Sequence, residues 1–148
     1  MTRNQPRRIL AIGSATWSDR TTTTKAIQRV MAVYRDPYQL VVDLDTGYGR
    51  YAAAAARAHG WEIVPYTPDV KCGPECPLVG HRRRGGPEGT FCPTGRLRAF
   101  TAQLELGADL VLVLHRVTTN QPAGTRLGQS TARDRGIAVW EYSQTRGN

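Results

Sequence analysis

The chain has 148 residues, 40% hydrophobic and 22% charged, with a formal net charge of +8. That is enough for one domain with a real core. No apolar run approaches the roughly 18 residues that span a bilayer, and the basic start MTRNQPRR leads into a strand rather than a secretory leader, so a cytoplasmic protein is expected. Lys25 and Lys71 are the only lysines among the 20 basic residues. An arginine skew of that size fits a GC-rich genome, and it equally suits a surface for phosphate-bearing ligands or nucleic acid.

In chain order, RRILAIG (Arg7 to Gly13) carries a nearly continuous apolar core, as a strand buried on both faces does. The loop SATWSDR follows, with Asp19 or one of Thr21 to Thr24 placed to cap a helix. Ala26, Ile27, Val30, Met31 and Tyr34 fall on one face of that helix, which Arg35-Asp36-Pro37 closes. Leu40 to Leu44 is a second strand, DTGYGR a turn at Gly47 and Gly49, and Tyr51 to His59 an alanine-rich helix stopped by Gly60. Trp61 to Tyr66 reads as a third strand, placed on a sheet edge by Pro65. An insertion runs from about Thr67 to Gly95. Then come a helix from Arg96 to Leu106, a strong strand from Asp109 to His115, a polar loop, a helix from Gly124 to Arg135, and a strand from Gly136 to Tyr142. The tail 143–148 is expected to fray.

Strands alternating with helices predict one α/β, Rossmann-like domain over 1–148: a five-stranded parallel sheet flanked by helices, interrupted by a loop insertion. Ligands of such sheets bind outside the carboxyl ends of the strands. The candidate binding residues are therefore Gly13, Ser14 and Trp17 after the first strand, Asp43, Asp45, Gly47 and Tyr48 after the second, His115 after the fourth, and Gly124 and Thr125 opening the last helix. Trp17 either stacks on a base or packs in the core. The two aspartates suit ribose hydroxyls but repel phosphate, unless one points away. His115 is either a general base or a packed histidine.

The insertion holds all three cysteines and the run HRRR. Its spacing, C-x3-C-x4-H-x10-C over Cys72, Cys76, His81 and Cys92, supplies three thiolates and one imidazole, the donor set of a structural zinc. A loop this long and this rich in proline and glycine needs a staple, and Arg82, Arg83 and Arg84 would offset the negative charge of such a centre. The alternative is three reduced thiols beside a solvated arginine run.

Taken together, the corners resemble the SLOG superfamily of DprA-like and LOG-like Rossmannoid proteins, and most of all its YspA-like, cpYpsA-related branch. The similarity runs from about Arg8 to Trp140: IGSATW (Ile12 to Trp17), DLDTGYG (Asp43 to Gly49), HGW (His59 to Trp61), LGAD (Leu106 to Asp109), Gly124-Thr125, and a C…C…HRR…CP insertion. The resemblance implies a nucleotide or nucleotide-derived ligand across the strand ends, in a sensor or sequestering protein, and a homo-oligomer. It also places Gly128 where the LOG phosphoribohydrolases carry a catalytic glutamate, so binding is expected rather than hydrolysis. A nucleic-acid-binding accessory protein using the basic flap, and a nucleotide-processing hydrolase, are the alternatives.

Overall fold

A computed structural model describes residues 5–67, 95–116 and 123–144. The elements are β1 (Arg7–Gly13), α1 (Arg20–Val33), β2 (Tyr38–Val42), α2 (Gly47–Ala58), β3 (Glu62–Pro65), α3 (Gly95–Glu105), β4 (Leu110–Arg116), α4 (Ala123–Asp134) and β5 (Ala138–Gln144). All five strands are parallel, in the order β3-β2-β1-β4-β5. The expected α/β architecture is present, with β3 on an edge as Pro65 requires.

The strands alternate their side chains between two cores. Ile9 and Ala11 of β1, Leu40 and Val42 of β2, and Leu110, Leu112 and Leu114 of β4 meet Ile27, Val30, Ala52, Ala53 and Ala56 of α1 and α2. Leu10, Ile12, Val41, Val111 and Val113 face the opposite way, onto Phe100, Leu104 and Ala132 of α3 and α4. Burial on both faces explains why these strands read as unbroken apolar runs rather than alternating ones.

Asp19 caps α1. Its Oδ1 accepts from the Thr22 amide at 2.9 Å and its Oδ2 from the Thr22 hydroxyl at 2.7 Å. α2 corrects the expectation. Strand β2 ends at Val42, not Leu44, and the helix begins at Gly47, four residues before the expected Tyr51. Thr46 caps it, accepting from the Gly49 amide at 3.1 Å. Gly47 and Gly49 are thus first-turn helical residues, there because their neighbours leave no room for a side chain. The end of the chain corrects the expectation too. Ser143 and Gln144 belong to β5, and Gln144 is 3% exposed. Its Oε1 accepts from the Ser18 amide at 2.8 Å and its Nε2 donates to the Ser18 hydroxyl at 3.0 Å, anchoring β5 to the loop after β1. No helix among the described residues is long and apolar enough to cross a membrane.

The zinc-ligand set Cys72, Cys76, His81 and Cys92, and Arg82 to Arg84, lie outside the described residues. Among the described residues no cluster of potential metal ligands occurs.

Candidate functional site

The chain leaves β1 for β2 on one side of the sheet and returns to β4 on the other, so the direction of winding reverses between β1 and β4. That is where an open parallel sheet opens a crevice at its carboxyl end. Gly13 and Leu114 are register partners there. A Cβ added to Gly13 would lie 1.9 Å from the Leu114 carbonyl oxygen. Ser14 continues the junction. Its amide donates to Leu114 O at 3.0 Å, and its hydroxyl accepts from the Arg116 amide at 3.0 Å. The Thr125 hydroxyl, at the start of α4, donates to the Gly13 carbonyl at 3.3 Å. Gly13, Ser14, Arg116 and Thr125 therefore meet at one place. Ser14 and Thr125 are buried, 8% and 4% exposed, and both hydroxyls bond backbone groups, so they tie the junction together. Gly124, expected at the helix start, lies in the first turn of α4.

The second corner is drawn to the first. The Gly47 amide donates to Ala15 O at 2.7 Å, and a Cβ on Gly47 would sit 2.4 Å from the same oxygen. Asp43 and Asp45 separate sharply. Asp43 is 1% exposed, and its Oδ1 accepts from the Asp45 amide at 2.9 Å, closing the turn into α2. Asp45 is exposed at the end of β2. Asp43 is thus committed to shaping the turn, and Asp45 is the carboxylate of this corner that solvent and a guest can reach.

Trp17 is not a stacking platform. It is 1% exposed within the α1–α2 core, and its indole N–H donates to the Thr23 hydroxyl at 2.8 Å. Tyr48 lies in the same core, 5% exposed. Of the two readings open for Trp17, packing is the one realised.

His115 is half-buried at the end of β4. Its Nδ1 is 3.3 Å from Arg116 O and its Nε2 is 3.5 Å from the Ser143 hydroxyl. Sequence alone does not pair Ser143 with His115, because a polar residue so near the terminus reads as frayed tail. The parallel register His115↔Ser143 is what brings them together. Two residues earlier on β5, Glu141 meets Arg133 of α4 at 2.7 Å. Burial alone would raise the Glu141 carboxyl. Hydrogen bonds from Arg133 and Gln129, with the charges of Arg133 and His115, outweigh it and hold the carboxyl below the ordinary glutamate value. Its stabilising contribution is therefore complete above the unfolded value of about 4.3 and lost as pH falls through the lower folded value. The pair is exposed, so the effect is expected to stay below about 1 kcal/mol. Urea midpoints measured from pH 5 down to pH 3 should fall less steeply for Glu141→Gln than for the parent chain.

Gly128, aligned by resemblance with a catalytic glutamate, fills a packing role. A Cβ there would lie 2.6 Å from Ile12 Cδ1 and 3.2 Å from the Phe100 ring. The helix α4 approaches the sheet closely because this residue has no side chain. Gly128→Glu is expected to destabilise by about 2 kcal/mol or more, from overpacking and a buried carboxylate, and to give no hydrolytic activity. Chemical denaturation and a nucleotide-hydrolysis assay check both parts.

No protein-family model matches this chain, and no curated protein matches it either.

Proposed function

We propose that this protein binds a nucleotide or nucleotide-derived small molecule across the carboxyl ends of β1, β2 and β4, as a sensor or sequestering protein of SLOG type. The observation that carries this reading is the meeting of Gly13, Ser14, Arg116 and Thr125 at the β1–β4 crevice. The start of α4 directs backbone N–H groups and the positive end of its dipole toward that region, which suits an anionic group. Exposed Asp45, on the β2 side, suits ribose hydroxyls. Asp43 and Asp45 together make this corner the place for the sugar hydroxyls, with the anionic group toward α4.

The insertion's donor set of three cysteines and one histidine fits zinc in number and ligand softness. Cys72, Cys76, His81 and Cys92 would hold it, and its role would be to fix a loop that has too little apolar content for a core of its own. Protein purified without chelator should carry about one zinc per chain, and Cys72→Ser with Cys92→Ser should abolish it. Elemental analysis returning a metal-free parent protein would remove the staple.

A thermal-shift screen against nucleotides at physiological salt tests the binding reading. Stabilisation by at least one mononucleotide or dinucleotide, weakened by Asp45→Ala, supports it. A flat screen together with steeply salt-dependent binding to oligonucleotides contradicts it in favour of a nucleic-acid partner.

A second reading, a nucleotide-processing hydrolase, draws support from the Ser143 hydroxyl beside His115 Nε2. With Nδ1–H directed at Arg116 O, Nε2 would be free to accept the serine proton. Turnover of any nucleotide in the screen, abolished by Ser143→Ala, would establish that reading.

A further inference from the structure

Helices α1 and α2 carry Arg20, Lys25, Arg29, Arg50 and Arg57 and, within their bounds, no aspartate or glutamate; Asp19 caps α1, and Arg29 lies away over the Trp140 ring of β5. Between the helices runs a groove of about 520 Å³. The two helices follow parallel strands, so their first turns lie at the same end of the groove. Arg20 and Arg50 stand there, both exposed, and neither guanidinium makes a hydrogen bond or ion pair among the described residues. Thr24 and Tyr51 add two hydroxyls beside them. Past that end the groove is floored by Ala54, Ala55 and Ala58. Nothing in the proposed strand-end site uses this groove.

We infer that the α1–α2 groove is a second binding site, for a small amphiphilic oxyanion: an alkyl or aryl body ending in a phosphate or carboxylate. The head group would lie between the Arg20 and Arg50 guanidinia, whose forked donors match either oxyanion. The positive end of the α2 dipole, capped by the neutral Thr46, favours the same charge at the same end, while that of α1 is already met by the Asp19 carboxylate. The alanine floor has nothing to offer a polar body and suits an apolar one, and the volume lies within the ordinary range of ligand pockets. Charge decides against the other occupants. A second copy docking by the same two helices would bring the same excess of cations and be repelled. A nucleic acid needs cations spaced along its track, whereas within this groove the two guanidinia sit at one end and alanine methyl groups line the rest.

Octyl phosphate, octanoate, octanol and inorganic phosphate are the probes, followed by calorimetry and by amide NMR shifts. Octyl phosphate should bind saturably and shift amides in the first turns of α1 and along α2. Octanol and inorganic phosphate should each bind roughly tenfold more weakly or worse, since each keeps only half of the interaction. Octanoate binding as well as octyl phosphate supports the site with a carboxylate head; octanoate binding far more weakly supports it with a phosphate head. Arg20→Ala with Arg50→Ala should weaken octyl phosphate roughly tenfold or more, and Ala54→Trp, at an exposed position, should block the groove while circular dichroism stays unchanged. Octyl phosphate shifting only the strand carboxyl ends, insensitivity to the double arginine variant, equal binding of inorganic phosphate, or displacement by a single-stranded oligonucleotide would each overturn the inference. The strand-end site is read instead at the amides of Gly13, Ser14, Arg116 and Thr125, none of which lies on α1 or α2.

Discussion

Gly13→Ala should be among the most destabilising single substitutions in this protein, costing about 3 kcal/mol or more. The added methyl would meet Leu114 O at 1.9 Å and Leu114 C at 2.7 Å. Both are backbone atoms of a neighbouring strand, so no rotamer change relieves the contact and the ends of β1 and β4 must part. Parting them strains three bonds at once: Ser14 N–H to Leu114 O, Arg116 N–H to the Ser14 hydroxyl, and the Thr125 hydroxyl to Gly13 O. Fold and site are therefore coupled at one residue. Urea denaturation should show a strongly lowered midpoint, and any ligand that stabilises the parent chain should bind the variant weakly. Gly60→Ala is the contrast. Its φ is +80° and an added Cβ would meet no atom within 4 Å, so only backbone strain of about 1–2 kcal/mol is expected. Near-equal losses at the two glycines would contradict the account of the β1–β4 junction.

Trp17→Ala should cost roughly 3–5 kcal/mol, the range for emptying a buried aromatic site. The indole is among the largest fully buried side chains and also satisfies the Thr23 hydroxyl. Trp17→Phe keeps most of the volume and loses the indole bond, so about 1–2 kcal/mol is expected. The comparison separates the two readings of this residue. A core role predicts large stability losses and, for Trp17→Phe, unchanged ligand affinity. A stacking role predicts the reverse, with affinity falling and the unfolding midpoint barely moving.

The order and type of every described element were legible because each strand and helix carried its own period and its own stop. Gly60 and Gly107, placed by sequence at the ends of α2 and α3, adopt φ of +80° and +100°. The edge position of β3 followed from Pro65 alone. What failed was local and has physical reasons. Gly47 and Gly49 read as a turn because glycine is a poor helix former. They are helical because backbone atoms of Ala15 and Asp43 crowd them, a tertiary constraint that no local propensity reports. Ser143 and Gln144 read as tail because they are polar and terminal. Their place in β5 depends on pairing with His115 and Arg116 and on the Gln144–Ser18 bonds, which close over 126 residues of sequence.

The site was legible as a set of strand ends and less so as individual roles. Topology alone placed Gly13, Ser14, Thr125 and His115 at one edge of the sheet. It could not tell that Asp43 would close its own turn while Asp45 stays exposed, since both occupy the same corner in sequence. Nor could it pair Ser143 with His115. The sequence holds no aspartate or glutamate from Arg20 to Val33 or from Gly47 to Ala58, but only the fold puts Arg20 and Arg50 at one end of one groove.

The most direct measurement is an amide NMR titration of ¹⁵N-labelled protein with the nucleotide that stabilises it most. Saturable shifts at Gly13, Ser14, Asp45, Arg116 and Thr125, with none at Met31, Tyr38 or Gly60 on the opposite edge of the sheet, are the predicted result. Shifts confined to that opposite edge, or strand-end amides unmoved at every nucleotide concentration, would contradict a ligand site at the β1–β4 crevice.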